Sequence, residues 1–365
     1  MEDMFSVKIY GAGSIGNHYA YAFRKRYWDV TVFDTDPSAL KRMKTLLYPS
    51  RYGKWDKKIK LMFKDDNKYY DLIFVGTPPD THLNIANKIL KKFPPKILHI
   101  EKPFCTPDLK NLDLFIKILK KTKTKVISGY NHTLTKNTKF AEKFLKKNKI
   151  GKIISITSYN REHWKGIFDA HPWIKGPSDS YLGYTKRGGG SLSEHSHSIN
   201  LWQHFANFLN LGKIARVNAN LNFVRKNKVN YDNLSILNVT TEKGILGNIT
   251  QDVITWPPKK MLRIDGSKGF LEWHTNYSNN FDAVKIGNKV SEKVYKFKKK
   301  RPDDFEGQVD IIEKLLKGER IKNLSISLRE TLVTTMIISA ALKSNKLQKE
   351  IKINYNKGFN IRSLN

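Results

Sequence analysis

Short apolar runs alternate with amphipathic stretches through the first 130 residues. Runs at 7–10, 30–33, 61–63, 72–75, 97–100 and 126–128 have the length of buried strands, and apolar residues at helical spacing fill most of the intervals. Alternation of this kind predicts a doubly wound parallel sheet of Rossmann type, class α/β, because each helix carries the chain back to start a parallel neighbour. Asp36-Pro37 and Thr106-Pro107 each set a capping side chain before a proline, and predict helices that begin there. After Thr106, the residues Leu109, Leu112, Ile116 and Leu119 keep one helical face apolar.

From about residue 131 the pattern changes. Strand-like runs at 153–159, 217–224, 234–239, 245–253, 261–264 and 270–273 follow one another across short turns, which predicts an α+β domain with a large, mostly antiparallel sheet. A helical stretch at 188–211 interrupts the series. Helices around 305–316 and 328–344 close it, the last with Ser327 and Glu330 at capping-box spacing. A chain of 365 residues divides more comfortably into two domains than one. The expected organisation is an α/β domain over 1–130, an α+β domain over 131–350, and a C-terminal tail over 351–365.

Composition excludes some classes. No apolar run approaches the length of a membrane span, and the amino terminus enters a strand-like stretch without a secretory pattern, so a cytoplasmic enzyme is expected. The single cysteine, Cys105, cannot form an internal disulfide or build a thiolate metal site, and His163 and His171 lack the carboxylates of a metal pair; no metal is expected. A formal net charge of +33 would attract anions, but the lysines lie in small groups at 57–58, 91–92, 120–125, 146–147 and 298–301. No nucleic-acid motif accompanies them, so a solvated surface is the expectation rather than a nucleic-acid partner.

Candidate chemistry begins at Gly11-Ala12-Gly13-Ser14-Ile15-Gly16, which follows the first strand and opens a helix. In a dinucleotide fingerprint the first glycine permits the tight turn, the second lets the backbone approach the pyrophosphate, and the third packs helix on strand. The helix terminus then offers N–H groups to phosphate. Asp34 ends the second strand, eighteen residues after Gly16, where a carboxylate can bond the adenosine ribose and repel a 2′-phosphate. NAD is therefore expected over NADP, and Asp36 is expected to cap the next helix.

That fingerprint is joined by Gly76-Thr77-Pro78-Pro79-Asp80-Thr81-His82, Glu101-Lys102-Pro103, Gly188-Gly189-Gly190 leading into Ser196-His197, and Gly266-Ser267-Lys268-Gly269-Phe270. In this order and spacing the chain resembles the glucose–fructose oxidoreductase/inositol dehydrogenase/MocA (Gfo/Idh/MocA) family over nearly its whole length. The resemblance implies that Thr77, Pro78, His82 and Glu101 lie against the cofactor. It assigns Lys102 to substrate binding and proton transfer beside the nicotinamide, with the Lys102–Pro103 bond often cis. A partly desolvated lysine near positive charge can take the hydroxyl proton as hydride leaves carbon. Glu101 either contacts the cofactor ribose or orients Lys102.

Glu194 and His197 are three residues apart, on one face of an expected helix that Asn200 or Leu201 continues. His197 is expected as the second acid/base group because the family's histidine falls there, with Glu194 beside it. His195 shares the neighbouring apolar face with Leu192, Ile199, Trp202 and Leu209 and is expected to pack. Two departures stand out: the family commonly has aspartate where Glu194 and Asn200 stand. Asparagine cannot act as a base, so either Asn200 only orients substrate or the chemistry has shifted.

The segments 161–164 and 180–187 resemble the substrate loop of the family's carbohydrate-acting branch. Trp164, Trp173, Tyr181 and Tyr184 could offer aromatic faces to a sugar or equally anchor the loop, and Lys186 and Arg187 could hold a carboxylate or phosphate. The expected function is hydride transfer between NAD and a secondary hydroxyl of a sugar or sugar derivative, nucleotide- or acid-bearing, in surface-polysaccharide synthesis. Alternatives are an NAD-dependent glycosidase on the same fold and a non-catalytic dinucleotide-binding regulator. The resemblance also implies a homodimer or homotetramer formed through the open face of the second sheet.

Overall fold

The computed structural model describes residues 4–226, 228–300 and 303–365; Arg301, at the end of the last basic group, lies outside the described residues. The chain runs through β1 (Ser6–Tyr10), α1 (Ser14–Arg24), β2 (Asp29–Phe33), α2 (Pro37–Arg42), a π-helical turn at Met43–Leu47, and α3 (Tyr48–Tyr52). Next come β3 (Lys60–Met62), β4 (Leu72–Val75), α4 (Pro79–Lys92), β5 (Ile97–Ile100), α5 (Leu112–Leu119), β6 (Lys125–Ser128) and α6 (Lys136–Leu145). There follow β7 (Ile153–Arg161), α7 (Lys165–Asp169), α8 (Ser191–Glu194), α9 (His197–Phe208), β8 (Ile214–Val224), β9 (Tyr231–Thr241) and β10 (Leu246–Asp252). Then β11 (Lys259–Gly266), β12 (Gly269–Ser278), β13 (Phe281–Gly287), β14 (Glu292–Lys298), α10 (Asp303–Leu316), α11 (Leu328–Leu347) and β15 (Ile351–Lys352) complete it.

The chain divides into two compact units. The first takes residues up to 105, with 111–131 and the stretch ending at 328. Its six strands lie in the order β3-β2-β1-β4-β5-β6, every pairing parallel. Val7, Ile9 and the whole of β4 and β5 are buried, as a parallel sheet covered on both faces requires. Strand order reverses between β1 and β4, and the crevice for a ligand in such sheets opens at the carboxyl ends beside that reversal. A charge sits inside this sheet: fully buried Lys8 pairs with Asp65 at 2.6 Å and with Asp66, and lies over the rings of Tyr10, Phe33 and Tyr70.

Two features differ from the sequence expectation. The helix expected from Pro107 begins only at Leu112, because Leu109 and Asn111 adopt left-handed conformations (φ 59° and 65°) and the Leu109 N–H closes a turn on the Thr106 carbonyl at 3.0 Å. And α10, placed by sequence order in the second domain, belongs to the first unit. The Tyr19 hydroxyl of α1 donates to Gln308 Oε1 at 2.5 Å and His18 stacks on Phe305 at 4.7 Å, so α10 covers an aromatic face of α1. Asp36 caps α2 through the Ser38 N–H.

The second unit is built on nine strands ordered β14-β13-β12-β11-β7-β10-β9-β8-β15, antiparallel except where β7 and β10 run parallel. β13 and β14 extend it beyond the runs the sequence showed. In β14 lysines fill Lys293, Lys296 and Lys298 and leave only a faint alternation. The stretch read as a tail contributes β15, which pairs with β8. Residues from Thr331 to Ala341 are buried all round α11.

Candidate active site

The first unit gathers its chemistry at the carboxyl edge of the sheet. Gly11 has φ +108°, and a Cβ there would lie 2.9 Å from the Gly76 carbonyl oxygen, so the turns after β1 and β4 touch where strand order reverses. A Cβ on Gly16 would fall 2.0 Å from the Gly11 oxygen, which fixes the approach of α1 to β1. At Gly13 nothing lies within 4 Å of that position, and the residue is exposed. Ser14 and Ile15 are half-buried in the first turn of α1, which carries no acidic side chain. The Asp34 carboxylate accepts from the Ala12 N–H at 2.8 Å and the Asp36 N–H at 2.9 Å, holding a negative charge against the glycine turn.

After β4, the Thr77 and Thr81 hydroxyls are 2.6 Å apart and Pro78 precedes α4. His82, expected against the cofactor, is an interior group. It is fully buried, with Nε2 2.7 Å from the Thr77 oxygen and Nδ1 3.1 Å from the Pro103 oxygen, and burial holds its pKa below the usual imidazole value. His82 therefore ties the Thr77 turn to the segment that follows Lys102.

Glu101 is buried, and its Oε2 accepts from the Lys102 N–H at 2.9 Å. A Cβ on Gly129 would lie 2.3 Å from Glu101 Oε1, so the glycine after β6 makes room for this carboxylate. Lys102 is half-buried beyond it, and Lys102–Pro103 is cis. Beneath lies His99, 3.8 Å from Glu101; burial pushes it down to about 3, so it stays neutral and the contact is not an ion pair. Gln308 Nε2 donates to the Ser128 carbonyl at 2.8 Å and lies 3.3 Å from His99.

In the second unit, buried Asp232 organises the glycine triplet. Its carboxylate accepts from the Leu192 N–H and Ser191 Oγ, each at 2.7 Å, and from Thr185 Oγ1 at 3.1 Å. Gly190 has φ +85°, and a Cβ on it would meet Asp232 Oδ1 at 2.1 Å. Loss of water outweighs these bonds and pushes the Asp232 carboxyl up to about 6. α8 is pinned by this carboxylate and lasts only four residues.

The single helix expected across Glu194 and His197 is thus two, α8 and α9, parted at His195 and Ser196. Glu194 accepts from the Tyr181 hydroxyl at 3.3 Å. His197 stacks on His132, ring centroids 4.3 Å apart, and His132 lies 5.6 Å from Trp273. Sequence reasoning missed His132; its signal was position, two residues beyond Tyr130 in the turn after β6. His195 is buried.

Trp164 and Asn200, expected as substrate contacts, lie in the interior. Trp164 is buried with Leu182 and Val253 and lies 4.8 Å from Tyr231, which makes it an anchor of the loop. Asn200 is buried and donates to Thr334 Oγ1 at 3.0 Å, an amide committed to packing α9 on α11. Tyr184 donates to the Ser178 carbonyl at 3.3 Å, Arg187 lies over the Tyr184 ring, and Lys186 is exposed. Among the described residues no group of three or more His, Cys, Asp or Glu side chains could hold a metal ion. Among the described residues no helix is long and apolar enough to cross a membrane.

Comparison with known proteins gives the same outline. The model of the GFO/IDH/MocA oxidoreductase family, NAD-binding Rossmann fold, matches residues 5–130, and the GFO/IDH/MocA C-terminal domain matches residues 138–272. No curated protein matches by sequence. Among solved structures, the WlbA dehydrogenase from Bordetella pertussis, in complex with NADH and UDP-GlcNAcA, is 16% identical with a TM-score of 0.71, covering 96% of this chain and 99% of that one. Levoglucosan dehydrogenase, in complex with NADH and levoglucosan, is 14% identical with a TM-score of 0.72 over 96% of this chain and 99% of that one. The myo-inositol 2-dehydrogenase from Lactobacillus plantarum is 14% identical with a TM-score of 0.71 over 96% and 100%.

Proposed function

This chain belongs to the Gfo/Idh/MocA family of NAD-binding oxidoreductases, and from that premise we propose that it is a dehydrogenase moving hydride between NAD and a secondary hydroxyl of a sugar or sugar derivative. The observation that carries the reading is the carboxyl edge of the parallel sheet: an open Gly13 turn, a carboxylate at Asp34, and Lys102 set by Glu101. The turn from Gly11 to Gly16 would hold the diphosphate, Asp34 the adenosine ribose, and Thr77 and Pro78 would flank the dinucleotide. The charge of Asp34 favours NAD over NADP, since a 2′-phosphate would meet it. When bound, NAD accepts the hydride.

The protein's own groups manage the proton. Lys102 takes it from the substrate hydroxyl as the carbonyl forms, its backbone fixed through Glu101 and its segment tied by His82. His197 is the second acid/base group, its ring plane held by stacking on His132, while Glu194 accepts from the Tyr181 hydroxyl. Sugar and nucleotide-sugar ligands in the similar structures support the substrate class. A screen of sugars, sugar acids and sugar nucleotides, followed by absorbance of the reduced nicotinamide, tests this. Net NADH formation with one such compound is expected; cofactor binding without NADH formation across the screen would contradict it.

A further inference from the structure

We propose that the first unit carries a second small-molecule site, away from the glycine turn, which binds an organic phosphate with an apolar ring body. The site is a cavity of about 460 Å³ lined by Lys44, Lys54, Trp55, Lys57, Ile59 and Leu61. Lys44 comes from the π-helical turn, Lys54 to Lys57 from the loop that leaves α3, and Leu61 from β3, the edge strand of the sheet. β3 runs parallel to β2 with Lys60 opposite Thr31, so Ile59 lies toward the amino ends of these strands. Gly11 and Asp34 follow the carboxyl ends of β1 and β2. The cavity is therefore separate from the dinucleotide edge, and its occupancy does not depend on the cofactor.

Floor and rim of this cavity differ in chemistry. Ile59 is buried and Trp55 and Leu61 are half-buried, whereas Lys44, Lys54 and Lys57 are exposed. Exposed lysines are ordinary one by one, since water solvates them. Three around a single concave apolar surface instead define an orientation for a ligand, with its ring body inward and its charge at the mouth. A ring against Trp55 and Ile59 would shed water, while a phosphate dianion on its edge would meet the ammonium groups.

Neighbouring acids leave that rim positive. Asp56 is the only acidic residue from 44 to 61. Its Oδ2 accepts from Arg24 Nε at 2.8 Å and its Oδ1 from the Lys58 N–H at 2.8 Å, and Lys60 pairs with Asp29 at 2.9 Å. The floor is also braced. Trp55 packs edge-on to Tyr48, centroids 5.0 Å apart, and Tyr48 packs on Tyr52 and on Tyr21 of α1, which stack on each other at 3.7 Å. Trp55 is thereby tied through α3 to α1, so the wall is formed before a ligand arrives.

Calorimetric titration of the full chain with 1-naphthyl phosphate, inorganic phosphate and 1-naphthol tests both halves of this chemistry. Naphthyl phosphate is expected to bind at least about tenfold more tightly than either fragment, and K44Q/K54Q/K57Q to raise its Kd at least about tenfold. Removing the same charge in K120Q/K121Q/K123Q, at lysines exposed elsewhere in this unit, is expected to leave that Kd within about twofold. W55L is expected to weaken naphthyl phosphate and leave inorganic phosphate unchanged; the lysine variants carry the test if W55L does not fold. Four results would each overturn the proposal: no binding of naphthyl phosphate to wild type up to about 10 mM, either fragment binding as tightly as the ester, an unchanged Kd in a folded cavity variant, or equal losses in both triple variants. The last would reduce the effect to net charge.

Discussion

Asp232 shows how one buried group sets both local geometry and a pH response. Its folded-state carboxyl titrates near 6 against an ordinary 3.8, so the folded chain holds the proton over that interval and the unfolded chain does not. The stability it contributes is full below pH 3.8 and is lost as pH rises to about 6. The loss amounts to about 3 kcal/mol, a shift of roughly two pKa units. Acids with lowered values, such as Glu272 and Asp71, slope the other way, so the readout is a difference. Denaturant unfolding of wild type and D232N from pH 4 to 7 is expected to show the downward component only in wild type; identical slopes would contradict it. At this scale the sequence revealed residues whose type the backbone demands. Gly11 and Gly16 were legible for that reason, and the Glu101-Lys102-Pro103 run through the family resemblance. The packed fates of Trp164, Asn200 and His82 were not, since burial depends on partners far along the chain, as Thr334 is for Asn200.

The elements explain why the second constellation was read as one helix. Apolar spacing across 188–211 is compatible with a continuous helix, but Asp232 on β9 captures the Ser191 hydroxyl and the Leu192 N–H, and the chain turns again after Glu194. Gly190 is the hinge of this arrangement. G190A would place a methyl group into the Asp232 carboxylate at a positive φ, and is expected to cost about 2–4 kcal/mol of stability. A midpoint shift in chemical denaturation measures it, and a shift of under about 0.5 kcal/mol would show that the loop relaxes freely. The strands of the first sheet were legible because parallel strands buried on both faces are apolar throughout. β14 was not, because Lys293, Lys296 and Lys298 mask its alternation.

At the scale of the whole molecule, the alternation of strands and helices announced the first unit and the run of strands announced the second. The return of α10 to the first unit was hidden, because sequence order does not disclose which aromatic face a later helix will cover. The net charge of +33 would attract an anionic ligand at long range. The central claim, that Lys102 carries the substrate proton in an NAD-dependent oxidation, is tested by K102M. Turnover and NADH affinity are measured side by side with the best substrate from the screen. The account predicts a fall in kcat of at least about a hundredfold with the Kd for NADH within about threefold of wild type. Wild-type turnover in K102M would contradict it.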